Sequence, residues 1–362
     1  MKLHIWVLTL CFCVSTLVVK GEEEDFITDY VYPLGDTSFI VLTSEEWKIW
    51  DISQNELQSF PEPLSASAYI LGMNQGIVCC ADDGKVKLIS AQEKLPEPVL
   101  EKEDGFVVPV IAFRGCFPIS WKGCNYWGRL CYRKKETVQL YIQLRDLKTF
   151  QRIHEFDITN ELIKTLSDNP FPFNFVGYRL YSAPSECVIL ELNNTHFHCF
   201  KFCNENSALI PQWYANGEMA FPIFFNSEGT IFWGAADLSC EKRDFKTGKL
   251  LDSFSLPEKE YNNIYQCEHA LVSSTDTHHP FIVTYESGIF KIYDGISFSE
   301  TPLQEFEVPP DFPWEAIWFN RFHNMICIHG NQFYFCNQSG GFVVDMKTGK
   351  ILRQTKFHKE TK

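Results

Sequence analysis

The sequence predicts an all-β chain built as a β-propeller of about seven four-stranded blades. Three observations predict it. A short phrase recurs as Asp146-Leu-Lys-Thr, Asp244-Phe-Lys-Thr-Gly-Lys and Asp345-Met-Lys-Thr-Gly-Lys, with spacings of 98 and 101 residues. A related phrase, Ile292-Tyr-Asp-Gly295, falls midway between the last two, 50 residues after one Asp and 51 before the next. The phrases sit between short runs rich in β-branched and aromatic residues, so the beat is one supersecondary unit repeated around a ring.

The chain opens on Met1-Lys-Leu-His, a basic n-region, followed by mostly apolar residues from Ile5 to Val19 and then by Glu22-Glu-Glu-Asp. Fifteen residues at about 1.5 Å each reach roughly 22 Å, short of a ~30 Å bilayer core. The reading is a signal peptide over residues 1–21, with residues 22–362 as one propeller domain and the chain exported. The expected location is extracellular, with the endoplasmic reticulum lumen as the alternative address; the C-terminus Lys359-Glu-Thr-Lys is no KDEL-type signal.

Removing residues 1–21 takes away Lys2 and Lys20 and leaves 30 basic against 46 acidic residues, with 12 cysteines. That acidity argues against nucleic acid and anionic membrane surfaces as partners. An even cysteine count in an exported chain reads as mostly disulfides. Sequons at Asn193 and Asn337 are candidate glycosylation sites.

The strands follow in order. Phe39–Thr43, Trp47–Trp50, Gly76–Cys80, Val86–Ile89, Val138–Leu144 and Phe281–Tyr285 are short and bounded by Gly, Asn, Asp, Ser or Pro. Ile158 to Leu166 is the one short helix candidate. In the last unit, Met325–His329, Gln332–Asn337, Gly341–Met346 and Lys350–Lys356 read as four consecutive strands. Seven units place third-strand ends near Asp51, Ser90, Asp146, Cys203, Asp244, Asp294 and Asp345, although six or eight blades also fit. The recurring phrase is a hairpin turn: Asp accepts turn amides, and Gly248 and Gly349 supply the left-handed residue.

Trp47-Lys-Ile-Trp-Asp51 resembles the strand end of a WD repeat, and the Asp-x-Lys-Thr-Gly-Lys phrases resemble repeats of quinoprotein-like propellers. The likeness covers about four of the seven units. The Gly-His pair of WD repeats is missing, and Asp252 and Arg353 stand where the quinoprotein-like pattern has a docking Trp. The resemblance implies a quinone dehydrogenase built on a disulfide between adjacent cysteines. Here Cys79-Cys80 lies on a strand, where neighbouring side chains face opposite ways, and such chemistry is not expected.

Other catalytic signals are sparse: there is no nucleophile elbow, zincin helix or phosphate loop. His196 and His198 share one strand face and are weak candidate metal ligands, with no third ligand assignable. No cofactor is expected. If Asn331-Gln332 forms a two-residue turn, Cys327 and Cys336 stand directly opposite as a candidate disulfide.

The segment Arg114–Lys135 reads as an insertion into the third unit, rich in aromatic and basic residues. Arg114, Trp121, Tyr126, Trp127 and Arg129 are the candidate binding residues. The favoured function is therefore an exported, disulfide-containing module that binds a protein or glycan. The alternative is a propeller hydrolase or lyase with a central-channel site.

Overall fold

The computed structural model describes residues 31–357 except 35–37, 43–45, 55, 65–67, 83–84, 91–92, 99–105, 108–114, 135–137, 166–177, 193–195, 206–207, 217–219, 227–229, 236–238, 256–266, 298, 300, 313–324 and 338. The signal-peptide reading of residues 1–21, Arg114 and Asn193 lie outside the described residues.

Seven antiparallel sheets form a β-propeller. The first blade is β1 (Val31–Pro33), β2 (Ser38–Leu42), β3 (Trp47–Asp51) and β4 (Glu56–Ser59). The second has three described strands, β5 (Tyr69–Asn74), β6 (Ile77–Asp82) and β7 (Lys85–Ser90). In the third, β8 (Phe106–Val107) and β9 (Phe117–Trp121) both pair with β10 (Cys124–Lys134), followed by β11 (Val138–Asp146) and β12 (Arg152–Asp157). After α1 (Thr159–Thr165), the fourth blade is β13 (Tyr178–Ala183) to β16 (Ala208–Asn216), through β14 (Cys187–Leu192) and β15 (His196–Cys203).

The fifth comprises β17 (Ala220–Phe225), β18 (Thr230–Ala235), β19 (Ser239–Asp244) and β20 (Leu250–Ser255). The sixth comprises β21 (Cys267–Ser273), β22 (Pro280–Glu286), β23 (Ile289–Asp294) and β24 (Gln304–Glu307). The seventh is β25 (Ile326–His329), β26 (Gln332–Asn337), β27 (Gly340–Asp345) and β28 (Ile351–Lys356). All seven third strands end on the residues the repeat spacing assigns, including Ser90 and Cys203, which carry no motif.

The sheets are apolar on both faces because each is sandwiched between neighbours. Leu130 and Ile142 of the third blade meet Leu190 and Phe200 of the fourth, and Phe290 of the sixth meets Phe333, Phe335 and Phe342 of the seventh. The ring closes where Phe39, Val41 and Trp50 of the first blade meet Tyr334, Cys336 and Val343 of the seventh. Among the described residues no strand is shared across that seam. Arg353 Nη1 spans it by donating to the carbonyl of Ile52 at 2.8 Å.

The recurring phrase is the turn between third and fourth strands. Asp244 Oδ1 accepts from Thr247 N at 2.8 Å and Oγ1 at 2.6 Å, and Asp345 Oδ1 from Thr348 N at 2.8 Å and Oγ1 at 2.9 Å. Asp146 does the same with Thr149, at 2.7 and 2.8 Å. Gly248 and Gly349 then take φ of +69° and +68°, and Phe150 takes +60° in the same place.

Beyond the turn, the outer strand carries a bulge in the third, fourth, fifth and seventh blades. A bulge bends the strand and re-aims side chains. Ile153, Gln212, Leu251 and Leu352 are the extra residues, while His154, Trp213, Asp252 and Arg353 follow them. Trp213 turns toward the fifth blade, covers Gly248 and donates its indole N–H to Phe245 O at 2.6 Å. Arg353 makes the equivalent contact with the first blade. The docking Trp missing after the repeated phrases is thus present at Trp213, in a blade whose phrase has lost its Asp.

The Cys327–Cys336 disulfide is corrected by register. The two-residue turn is Gly330-Asn331, with Gly330 at φ +57°, as a primed hairpin turn favours at its first central position. His329 therefore faces Gln332 and Cys327 faces Tyr334, so Cys327 and Cys336 do not stand opposite one another.

Candidate binding surface

Arg114–Lys135 is not an insertion, because its residues 117–134 form the first hairpin of the third blade, β9 and β10. Its two Trp rings are consequently core, while Phe117, Tyr126 and Tyr132 are half-buried. Trp121 is buried against Phe156 and Phe202, with centroids at 5.5 and 5.9 Å, and Lys122 Nζ stands 4.4 Å over the ring. Trp127 is fully buried and donates to Leu147 O at 3.0 Å. Leu147 follows Asp146, so this carbonyl is the equivalent of Ile52 O and Phe245 O. The second blade has no described fourth strand to supply a docking side chain, and Trp127 fills that place from within the third. Tyr126 is half-buried against Trp121, and burial, with Cys124 beside it, raises its phenol above the ordinary value. Trp121 and Trp127 cannot present their rings to a partner in this fold.

Arg129 belongs to a polar layer on the side of the third blade that faces the second. Its Nε donates to Gln143 Oε1 at 3.1 Å, and Gln143 Nε2 donates to Glu155 Oε2 at 3.4 Å. Arg152 and Arg133 also approach Glu155, at 3.4 and 3.9 Å. Arg145, buried to 1% exposure, donates to Phe150 O at 2.9 Å, as Arg243 does to Gly248 O at 3.0 Å. These arginines brace left-handed turns by capping the carbonyls that the turns leave behind.

His196 and His198 share a face of β15, with Tyr214 beside both. His196 Nδ1 lies 2.9 Å from Tyr214 Oη, and the His198 ring centroid lies 4.8 Å from that of Tyr214. Burial, with the His196 charge adding to it, pushes the His198 pKa down to about 3, so this ring stays neutral. Among the described residues no three His, Cys, Asp or Glu side chains gather around a common point. Asn337 is buried, and its Oδ1 accepts from Ser339 N and Gly340 N at 2.8 and 3.0 Å. A glycan on Asn337 does not fit this placement, so that sequon reads as a turn cap.

Sequence reasoning missed Glu191, a fully buried acid in the otherwise apolar β14. It accepts from Arg179 Nη1 at 3.0 Å and Tyr181 Oη at 2.6 Å. Burial raises its pKa, against the pull of Arg179. It also missed the rim. The exposed large aliphatics Ile153, Ile210, Leu250, Leu251, Leu303, Ile351 and Leu352 all lie on or beside outer strands, and Ile296 lies in the turn before one. The bulge residues Ile153, Leu251 and Leu352 are 45%, 56% and 47% exposed.

No helix among the described residues is long and apolar enough to cross a membrane. No protein-family model matches the chain, and no curated protein matches it in sequence. Solved structures do match. One is BBS1N in complex with ARL6DN, at a TM-score of 0.50 and 11% identity, covering 88% of this chain and 92% of that one. Another is Hsv2 of Kluyveromyces lactis, at 0.49 and 8%, covering 91% and 98%. The WD40 propeller domain of Doa1 matches at 0.39 and 11%, covering 92% and 84%. At these identities the likeness is one of fold alone: the chain is a seven-bladed β-propeller.

Proposed function

We propose that the chain is an exported protein-interaction module that holds its partner on the outer rim of the fifth to seventh blades. One observation carries this reading. The outer-strand bulges turn Leu251 and Leu352 into solvent beside exposed Leu250 and Ile351, with Ile296 and Leu303 on the blade between. Two exposed aliphatics per blade on three successive blades are more than scattered surface apolar residues. Lys246, Lys249, Lys347 and Lys350 border them, which suits a partner surface with an apolar centre and acidic edges. The patch is aliphatic rather than aromatic, which favours a protein over a glycan.

Export is supported by the basic n-region and short apolar segment at the N-terminus. Secretion into the medium is proposed, with retention in the endoplasmic reticulum lumen as the other address. The test compares partners captured by the intact protein with those captured by Leu251→Asp/Leu352→Asp. Loss of a defined partner from a folded double variant is the expected result. An unchanged partner set refutes the rim as the binding surface.

A further inference from the structure

We propose that Cys79 and Cys116 are joined by a disulfide that ties the second blade to the third; the proposal rests on the export reading. Cys79 lies on β6 directly opposite Gly72 of β5. Cys116, immediately before β9, lies over that glycine: its N–H donates to Leu71 O at 3.3 Å, and a Cβ at residue 72 would fall 1.8 Å from Cys116 O. Only glycine leaves room for this approach, and it brings the two cysteines together in one buried cluster with Leu88, Trp127 and Phe150. The neighbouring thiols are directed elsewhere. Cys80 points to the other face of the sheet and donates to Lys87 O at 3.6 Å, and Cys131 contacts Gln143 Oε1 at 3.3 Å.

The chemistry is thiol–disulfide exchange with a small-molecule disulfide such as glutathione disulfide. A thiolate of one cysteine attacks the external disulfide and releases one thiol. The second cysteine then attacks the mixed disulfide, forming the Cys79–Cys116 bond and releasing the other thiol. Two cysteine thiols lose two electrons and two protons, and the external disulfide gains them. Both sulfurs are buried, so closure belongs to folding rather than to the finished protein. The cross-link would fasten the second blade to the third beside Trp127, which is buried in the same cluster.

The test is non-reducing peptide mapping of the full chain recovered from the medium of secreting cells, together with the mass of its N-terminal peptide. The N-terminal mass reports on export independently of the cysteines. The expected result is a peptide pair linked through Cys79 and Cys116. Free thiols at both positions, or a link from either to another cysteine, in protein whose signal has been removed would overturn the pairing. If the chain is not exported, refolding the reduced protein in a glutathione redox buffer still decides the pairing, and only the export reading falls. Cys116→Ala is expected to lower the thermal midpoint by several degrees without reductant, and the difference should close in dithiothreitol. A difference that persists unchanged in dithiothreitol would show packing loss alone and count against the cross-link.

Discussion

Gly341→Ala tests whether the ring is held shut by side-chain packing between its first and last blades. A Cβ at residue 341 would lie 2.2, 2.3 and 2.9 Å from Cζ3, Cη2 and Cε3 of Trp50. Ordinary carbon contacts are about 3.5–4.0 Å, so the seam must open by more than ~1 Å. Gly341 cannot step back, because β27 is laddered on both sides, to Cys336 and to Thr355. Nor can Trp50 yield easily, being fully buried with Phe39 stacked at 6.0 Å and Phe357 edge-on at 5.6 Å. Overpacking of this kind costs about 1–3 kcal/mol. Trp50→Leu removes the atoms that clash while costing a few kcal/mol itself. The penalty of Gly341→Ala should therefore shrink by ~1 kcal/mol or more in the Trp50→Leu background. Urea unfolding followed by far-UV circular dichroism, on all four corners of the cycle, measures this. Additivity within ~0.5 kcal/mol would refute the seam as described.

Three further outcomes follow from the same geometry. Trp213→Phe keeps the ring over Gly248 but removes the donor to Phe245 O, and should cost about 1–3 kcal/mol in chemical denaturation; no change would mean that the indole N–H is not used. Arg179→Met leaves Glu191 buried beside Tyr181 without its cation and should cost ~3–5 kcal/mol, with Arg179→Met/Glu191→Leu recovering part of it; equal stability of single and double variants would refute the ion pair. The hydroxyl and amide of Thr348 hold the Asp345 carboxyl below its ordinary 3.8, and in Asp294 the donors Ile296, Ser297 and His279 outweigh burial to the same end. A lowered carboxyl contributes stability that is present above 3.8 and is lost as pH falls through the folded values. Asp345→Asn should flatten the acid limb of a stability–pH curve there, and an unchanged limb would count against the turn carboxylate.

The repeat spacing was legible because every blade repeats one four-stranded unit, with third-strand ends 39 to 57 residues apart, so even Ser90 and Cys203 could be placed from their neighbours' positions. The docking side chain was not legible, because it follows a bulge. Pro211 and Gln212 precede Trp213 where no Asp-x-Lys-Thr phrase marks the turn. The aromatic, basic composition of β10 suggested a surface, yet propeller strands are covered on both faces. Its Trp127 and Arg129 therefore point into the junction with the second blade, just as Tyr126 and Leu130 point into the junction with the fourth. Composition registers which side chains are present and not which sheet lies against them. The disulfide misreading had a smaller cause: a turn placed one residue late moves the residue opposite Cys327 from Tyr334 to Cys336. The rim was hidden for the opposite reason, since Leu250-Leu251 and Ile351-Leu352 read as ordinary strand residues until the bulge turns them outward.

The seam between the first and seventh blades has a mechanical consequence. A ring closed by a shared strand must break a ladder of hydrogen bonds to open, and those bonds fail together. Among the described residues the join is made by Trp50 against Gly341 and by Arg353 reaching Ile52, so that part of the propeller is built like a split washer. Its circumference can adjust by sliding packed surfaces without unpairing any described strand. Under load applied across that gap, parting would begin at one edge and travel across the packed faces.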